Sequence, residues 1–539
     1  MPTTTTRTTV TLARDTNQAL GLGRFAVDFM GAAGVGDPAP AVLDRTLLFF
    51  TDSVVCGLSA IALGTNAPAR LRAEALEYER PGGVPIFGSD RRVAPEKAIV
   101  ANCAAVREWD ANGTNFGYNP TLGHTAGEFG HNDFYPVAIA AAQLSGKDGA
   151  FALRGMVLLD EIRGRLAEVF SLKSYKIDHV VHGAIASAVT YGAMLGATPD
   201  QIESAIGLFV AHFIPWRAIR AGKQLSDSKG ASAAISTEAA VLSMMRSMRG
   251  FVGPGDIFRN PEAMFRAFEG PGRFFARVGK PTKERRTTGG GDASPFDLVL
   301  SHSGDDFAVM GMHFKLGLYE HQSAGALSGL ISLLCAHPQL LRGPEQIASI
   351  RVIAYEPAFG IIGDAAKRDP RSRQSADHSM VYIIATVLRK ALALARDHGP
   401  ALLTTVDEGW RRLMLVPDDY RREALFDAGT RGLMEKITFE HGGPDYDEKY
   451  PDGIPTSLIV TTIDGETYDS GLVMYPAGHA RNTESDLPAL LRAKWQTLAE
   501  PAVAEPQRII DRFRALPTLS ANQLASLYDF DILDGGVFE

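Results

Sequence analysis

The stretch GAIASAVTYGAMLGATPD, residues 183–200, decides the class of fold. Its first part, Gly183–Gly196, is rich in Ala, Gly and Ser, and such small side chains let helix backbones approach closely, as in a packed bundle. Its second part predicts the start of another helix, with Thr198 as the N-cap residue and Pro199 in the first turn. We therefore predict two consecutive helices, the second over Asp200–Phe213.

Helical patterns continue on the N-terminal side of this stretch. Apolar residues recur at helical spacing in Ala41–Leu63 and in Pro95–Glu108, where Pro95 occupies a first-turn position, and Ala138–Leu144 is again rich in small residues. From about residue 18 to residue 268 the chain is predicted to be mainly helical. Two segments are predicted as loops because they are rich in glycine, namely Gly113–Gly130 and Lys280–Pro295.

The pattern changes after about residue 306. Ser349–Tyr355 is apolar and β-branched, which predicts a strand. Ser457–Ile463 and Glu466–Tyr475 flank Asp464-Gly465, a pair that suits a type I′ turn, so a β-hairpin is predicted there. This part is expected to be α+β. Its helices are predicted at Ala324–Ala336 and Met380–Ala395, and the final segment, Asp486–Leu527, returns to helix and can pack back on the first region.

Composition excludes several classes of protein. The 539 residues carry 54 Lys and Arg against 62 Asp and Glu, a net charge of −8, which argues against a general nucleic-acid binder. Three cysteines are too few and too scattered for a disulfide scaffold or a cysteine-based zinc site, and we expect reduced thiols in the cytoplasm. No uninterrupted apolar run approaches about 18 residues, so no membrane-spanning helix is expected. The Thr-rich N-terminus lacks an apolar secretory region, and residues 1–17 are predicted to be a disordered tail.

Motifs for nucleotide, zinc or hydrolase chemistry are absent from the sequence. It contains no GxxxxGK[ST] phosphate loop, no HExxH and no GxSxG. Acidic, basic and histidine residues instead gather where loops lead into predicted helices. The first such cluster contains Asp110 and Thr114, with His131 at the end of the glycine-rich loop. An Asp beside a His can fix the tautomer of the ring, although a helix cap and a surface histidine would give the same pattern.

Further clusters follow along the chain. His179, after Asp178, opens an Ala-rich helix and is a candidate acid or base, or a capping histidine. Arg217 and Lys229 belong to a segment of four cations among small residues, which either binds an anion or forms a solvated basic loop. The remaining candidates, His321 in one segment and His378 with Tyr382 in another, also precede helices, whose N-termini favour anions.

The order of these motifs resembles the MmgE/PrpD family over roughly residues 18–495. Single motifs are unspecific, but their sequence along the chain is typical of that family. The interval from Asp110 to His131 is longer than is usual there, and the segment before His321 is shorter. The matching stretches are Asp110–Thr114, Glu128–His131, Ile177–Val181, Lys229, Phe314–Ala324, Ala376–Tyr382, Asp464-Gly465 and Tyr475–His479.

The resemblance implies a mainly α protein. An all-α domain would comprise residues 18–307 and 479–539, and a smaller α+β lid domain would comprise residues 308–478. It also implies a homodimer and a lyase that uses no metal and no organic cofactor. Its substrate would be a small polycarboxylate, most simply 2-methylcitrate, which would lose water; neither nucleic acid nor a membrane is expected as a partner.

The resemblance also suggests roles for individual residues. Asp110 would orient His131 or act with it, and His131 and His179 would exchange protons with the substrate. Lys229, exposed in the cleft, would bind a carboxylate together with Arg217. Catalytic roles would fall to Asp110, His131, His179, Lys229 and His321, and substrate binding to Thr114, Arg217, His378 and Tyr382.

Two alternatives remain open. A cis-aconitate decarboxylase, or a related isomerase or epimerase, would need the same cations, because its intermediate is also enolate-like. A polycarboxylate-binding protein without catalytic activity would share the fold. The alternatives predict different products from the same acids.

Overall fold

The computed structural model describes residues 8–31, 35–220, 224–259, 293–363 and 367–538. Within these ranges the chain is mainly helical, as predicted. The helices of the first half are α1 (Gln18–Met30), α2 (Pro40–Ala62), α3 (Asn66–Leu76), α4 (Pro95–Arg107), α5 (Tyr135–Leu144), α6 (Gly149–Val169), α7 (Val180–Met194), α8 (Pro199–His212) and α9 (Asp227–Met248).

The predicted start of α8 is confirmed. The Thr198 hydroxyl accepts a hydrogen bond from the Gln201 backbone N–H at 3.2 Å, and the Gln201 side chain accepts one from the Thr198 N–H at 2.9 Å. This reciprocal capping box satisfies two of the N–H groups that the first turn of a helix leaves unpaired.

The small residues of α7 also act as predicted. A Cβ on Gly183 would lie 2.0 Å from the Phe134 ring, and one on Gly192 would lie 2.6 Å from the Met244 sulfur. Neighbouring elements therefore approach α7 more closely than a larger side chain would permit, and Val180–Met194 is almost entirely buried. This packing fixes the N-terminal end of α7, where His179 lies.

The second half combines helices with a twisted sheet. In the described part, its strands run in the order β10 (Ile437–His441), β9 (Ile347–Ala354), β11 (Thr456–Thr462) and β12 (Thr467–Asp469). β10 is parallel to β9, whereas β11 is antiparallel to both β9 and β12, which confirms the predicted hairpin. The helices are α10 (Ala324–Ala336), α11 (Arg373–Ala376), α12 (Met380–His398), α13 (Val406–Leu413), α14 (Arg422–Leu425), α15 (Ala428–Met434), α16 (Pro444–Asp447), α17 (Leu487–Ala499), α18 (Pro506–Arg514) and α19 (Ala521–Ala525).

The predicted N-terminal tail is wrong from residue 9 onward. Thr9–Leu12 forms strand β1, antiparallel to β7 (Leu298–Ser301), and the Arg14 guanidinium pairs with Asp297 at 2.8 Å. The β-branched run TVTL suits a strand, and its partner lies almost 300 residues away, which local sequence does not reveal. Residues 1–7 lie outside the described residues, as does the predicted excursion at Lys280–Pro295 up to residue 292.

The loop predicted between residues 113 and 130 contains two short pairing segments. β5 (Thr114–Asn115) and β6 (Gly130–His131) are antiparallel, with Thr114 opposite His131. The other strands of the first half form two-stranded ribbons in the described ranges: β3 (Glu79–Pro85) with β4 (Arg92–Val93), and β2 (Asp37–Pro38) with β8 (Ser303–Gly304).

Helix α2 lies in the core and is tied to the end of the chain. It is long and apolar enough to cross a membrane, but 78% of its most apolar window is buried inside the protein, as in the core helix of a folded domain. Asp52, in its middle, pairs with the Lys494 ammonium at 2.7 Å and accepts from the Trp495 indole N–H at 2.9 Å. Helix α17 therefore packs against α2.

Candidate active site

One cavity of about 370 Å³ brings together residues from both halves of the chain. Four predicted site residues line it, namely His131, His179, Arg217 and His378. The other lining residues are Gly127, Glu128, Phe129, Lys173, Leu225, Glu320, Gln322, Pro357, Gly360, Ile362, Lys367 and Tyr450. The cavity thus contains cationic, acidic and imidazole groups, the set that acid–base chemistry on an anionic substrate requires.

Asp110 lies directly behind this cavity, at the centre of a buried ion cluster. It follows helix α4 with a left-handed φ of +50°, and only 1% of its surface is exposed. Its carboxylate pairs with Arg107 and with Lys315, contacts the Lys229 ammonium at 3.4 Å and contacts His378 Nε2 at 3.1 Å. Although burial opposes ionisation, these positive charges hold the pKa of Asp110 well below its usual range.

The predicted partnership of Asp110 with His131 is wrong. Arg107 lies between them, with one guanidinium nitrogen on Asp110 and the other 3.1 Å from His131 Nε2. Because a guanidinium can only donate, His131 Nε2 accepts and the ring proton is on Nδ1. Burial, with the charges of Arg107 and Lys315, holds the pKa of His131 well below its usual range, so the ring is neutral. Within the described ranges of the chain, His131 Nδ1 is buried and has no hydrogen-bond partner.

Lys229 is not the exposed cleft residue that the sequence suggested. It lies in the first turn of α9 with 4% of its surface exposed. Its ammonium contacts Asp110, and it is 3.2 Å from His378 Nδ1. Burial and the charge of Lys229 lower the pKa of His378 to about 4. Lys229 therefore acts on the cavity through His378, which lines it.

Sequence reasoning missed two members of the ion cluster, Lys315 and Arg107. Lys315 is fully buried, and its ammonium donates to the Asp110 backbone carbonyl at 2.8 Å as well as to the carboxylate. Burial lowers the pKa of Lys315. A signal existed for each residue. Lys315 belongs to a stretch that matches the family pattern, and Arg107 precedes Asp110 by three residues at the end of α4.

His179 and Arg217 occupy the wall of the cavity. His179 is the residue before α7, and its Nδ1 lies 3.5 Å from the Asp178 carboxylate. Its ring centre is 5.6 Å from that of His131. Arg217 is half-buried and begins a short 3₁₀ turn, and its backbone N–H donates to the Lys176 carbonyl at 2.9 Å.

Three other predicted residues do not line the cavity. The Thr114 hydroxyl donates to the Gly130 carbonyl at 2.7 Å, which ties β5 to β6. The Tyr382 hydroxyl donates to the Asp419 carbonyl and is fully buried in α12. His321 is fully buried, and its ring is stacked on that of His313 at 5.3 Å. Thr114 and Tyr382 thus serve the fold around the site.

One group in the described residues has the spacing of a metal site. Asp110, Asp377 and His378 each offer a ligand atom, and these atoms lie within 4.8 Å of one another. The Asp110 oxygens are already bonded to Arg107, Lys229 and Lys315, and a divalent cation would have to displace or repel these charges. We assign these three residues no metal-binding role.

Comparison with known proteins gives a consistent result along most of the chain. Residues 26–275 match the MmgE/PrpD N-terminal domain, and residues 410–516 match the MmgE/PrpD C-terminal domain. The 2-methylcitrate dehydratase of Cupriavidus necator is 23% identical, over 88% of this chain and 91% of that protein. The probable 2-methylcitrate dehydratase of Saccharomyces cerevisiae is 23% identical, over 87% and 84%. A cis-aconitate decarboxylase-like protein of Aspergillus oryzae is 22% identical, over 88% and 90%.

Proposed function

The chain belongs to the MmgE/PrpD family, and we propose that it is a lyase that removes water from a small hydroxylated polycarboxylate such as 2-methylcitrate. The observation that carries this proposal is the cavity itself. Arg217, Lys173 and Lys367 supply cations on its wall, and His131 and His179 supply imidazoles. The names of the relatives from Cupriavidus necator and Saccharomyces cerevisiae support the same chemistry.

The wall cations suit the charge of such a substrate and of its intermediate. Removal of a proton next to a carboxylate creates an enolate-like dianion, which nearby positive groups must stabilise. Arg217 can bind a carboxylate through two parallel N–H groups, and the lysines can act as point charges. We assign carboxylate binding to Arg217, Lys173 and Lys367 and keep Lys229 as a buried residue that positions His378.

The two wall histidines receive different roles. In the arrangement described above, the Nε2 lone pair of His131 is taken by Arg107, so His131 cannot accept a proton from the substrate without losing that contact. It can donate a hydrogen bond from Nδ1 to a substrate oxygen. We therefore assign proton abstraction to His179, in place of the sequence-based expectation that both histidines exchange protons.

Decarboxylation of cis-aconitate is the second candidate, favoured by the similarity to the Aspergillus oryzae protein. The same cations would stabilise its intermediate. Incubation of the purified protein with 2-methylcitrate and, separately, with cis-aconitate distinguishes the two reactions. An unsaturated product with release of water supports dehydration, whereas release of CO₂ supports decarboxylation. Binding of both acids without any product would support the third alternative, a binding protein.

The quaternary structure and the domain motion are part of the proposal. We propose a cytoplasmic homodimer in which residues 308–478 act as a lid over the cavity. Sedimentation equilibrium tests the dimer. Hydrogen exchange with and without 2-methylcitrate tests the lid, since closure should slow exchange at the cavity-lining segment around His378.

A further inference from the structure

Two of the buried carboxyl groups of the site, Asp110 and Glu320, have opposite surroundings. Asp110 is bonded to Arg107, Lys315, Lys229 and His378. Glu320 is 4% exposed and lines the cavity, yet in the described part of the chain no ion pair involves it. One of its oxygens accepts the Gln322 backbone N–H at 2.9 Å. A buried carboxyl group without a counterion is more stable as the neutral acid.

The surroundings of Glu320 hold it in place and favour its protonated form. Its backbone N–H donates to the Asp377 carbonyl at 2.8 Å, which fixes the residue beside His378. Burial and the negative charge of Asp110 raise the pKa of Glu320 to about 8. The titratable groups that interact with Glu320 electrostatically include Asp110, Lys315, Lys229, Tyr355 and Tyr450, and the two lysines oppose this rise.

Neither His131 nor His378, which both line the cavity, can supply the proton. His131 is neutral, and the two ring nitrogens of His378 already contact the carboxylates of Asp110 and Asp377, so neither ring offers an acidic proton to the substrate. Dehydration nevertheless needs a proton for the departing hydroxyl group, because hydroxide is a poor leaving group. A neutral carboxylic acid that faces the same cavity can provide it.

We propose that Glu320 is the catalytic residue that protonates the leaving hydroxyl group of the substrate. This inference rests on the proposed dehydratase function. His179 removes the proton from the carbon next to a carboxylate, and the electrons of that C–H bond form the carbon–carbon double bond. The C–O bond breaks with its electron pair on oxygen, the Glu320 carboxyl gives its proton to that oxygen, and water leaves. The extra proton on His179 then returns to Glu320 through solvent, which restores the enzyme.

The decisive experiment changes the leaving group. Wild-type protein, Glu320→Gln and Glu320→Asp are assayed with 2-methylcitrate and with its analogue in which fluorine replaces the hydroxyl group. The departure of fluoride depends far less on full protonation by an acid than the departure of hydroxide does. We expect Glu320→Gln to lower kcat/KM for 2-methylcitrate about 10²- to 10⁴-fold and for the fluoro analogue less than about 10-fold. Glu320→Asp keeps a carboxyl group and should recover part of the activity.

Glu128→Gln is the matched control. Glu128 is another buried, cavity-lining carboxyl group, but its Oε2 accepts from both the Ser171 hydroxyl at 3.0 Å and the Lys173 backbone N–H at 2.9 Å. Any loss in this variant should be equal for the two substrates. Circular dichroism and a thermal melt verify that each variant folds. Equal losses for both substrates in Glu320→Gln would overturn the inference, as would unchanged activity with 2-methylcitrate.

Two further measurements separate this inference from the function on which it rests. In the wild type, kcat/KM should fall as pH rises through about 8, and this limb should vanish in Glu320→Gln. The infrared carbonyl band of a protonated carboxyl, present in wild type and absent in Glu320→Gln, reports the state of Glu320 without turnover. If the wild-type protein lacks this band at pH 7, the inference about Glu320 is overturned and the proposed function is not. A wild type with the band but no dehydration of 2-methylcitrate overturns the proposed function, and the donor role with it.

Discussion

The ion cluster behind the cavity and the wall of the cavity differ in what their charges contact. In the cluster, Arg107, Lys229 and Lys315 all pair with Asp110, and each of these four residues is less than 5% exposed. On the wall, residues such as His179 and Arg217 face the space that a substrate would fill. Substitution in the cluster should therefore affect folding and activity together, whereas substitution on the wall should affect activity alone.

Asp110→Asn should have the largest effect, because it leaves several buried cations without their counterion. Asn tolerates the left-handed backbone at this position, so the change isolates the charge. We expect the free energy of unfolding to fall by about 3–5 kcal/mol, with loss of turnover. Urea denaturation measures the first and a steady-state assay the second. A stable but inactive variant would contradict the distinction between the ion cluster and the wall of the cavity.

His179→Gln tests the wall. If His179 removes the substrate proton, kcat should fall about 10²- to 10⁴-fold. The free energy of unfolding should change by less than about 1 kcal/mol, since the ring lines the cavity. Urea denaturation measures the stability of this variant, and a steady-state assay measures its kcat. A destabilisation as large as that of Asp110→Asn would show that His179 behaves as a residue of the ion cluster.

Lys229→Ala tests a residue of the cluster that sequence reasoning would assign to the wall. Loss of its charged contacts with Asp110 and His378 should lower the free energy of unfolding by about 1.5–3 kcal/mol and reduce kcat/KM about 10- to 200-fold. The stability loss should be smaller than for Asp110→Asn because Arg107 and Lys315 remain on Asp110. Lys229→Arg should restore only part of either property. An unchanged melting temperature would show that Lys229 behaves as a residue of the cavity wall and not of the ion cluster.

The pH dependence of stability follows from the buried histidines. A histidine whose pKa is lowered by folding stays neutral where the unfolded chain, with a pKa of about 6.5, takes up a proton. For His378 the free energy of unfolding should therefore fall as pH falls from about 6.5 to about 4, by up to about 1.4 kcal/mol per pH unit. Urea denaturation at pH 7 and pH 5 should show a smaller difference for His378→Gln than for wild type.

Removal of divalent metals should have the smallest effect. Because cations already occupy the Asp110 oxygens, we expect kcat/KM with 2-methylcitrate to be the same with and without EDTA. Assays on protein treated with chelator, then resupplied with Mg²⁺, Mn²⁺ or Zn²⁺, check this. Restoration of lost activity by one of these ions would assign the Asp110, Asp377 and His378 group to a metal.

Local patterns in the sequence predicted the elements of the fold well. The Thr198 cap, the small residues of α7 and the hairpin at Asp464-Gly465 each depend on residues a few positions apart. The chain positions of His131, His179, Arg217 and His378 also pointed to one cavity, through the family resemblance. Contacts over long distances in sequence could not be predicted this way. Strand β1 pairs with a segment almost 300 residues later, so it looked like part of a tail.

The errors in the site have the same origin. The family resemblance suggested that Asp110 orients His131 or acts with it, but the Asp110 carboxylate turns toward Lys315 and His378, more than 200 residues away. Lys229 lies among small and polar residues, which suggested exposure, yet Asp110 and His378 enclose it. Burial of a charged group depends on the residues that the rest of the chain packs around it. The residues adjacent to it in sequence therefore carry little information about its burial.

The link between Asp52 and Lys494 bears on the order in which a ribosome releases the chain. The two side chains that bond to the Asp52 carboxylate, Lys494 and Trp495, leave the ribosome 442 and 443 residues after it. Until then, helix α2 would have to bury an unpaired carboxylate or remain outside its final packing. The nascent chain therefore cannot complete the packing of α2 before residue 495 has emerged, and we expect a truncated chain that ends before residue 494 to leave α2 open to chaperones and proteases.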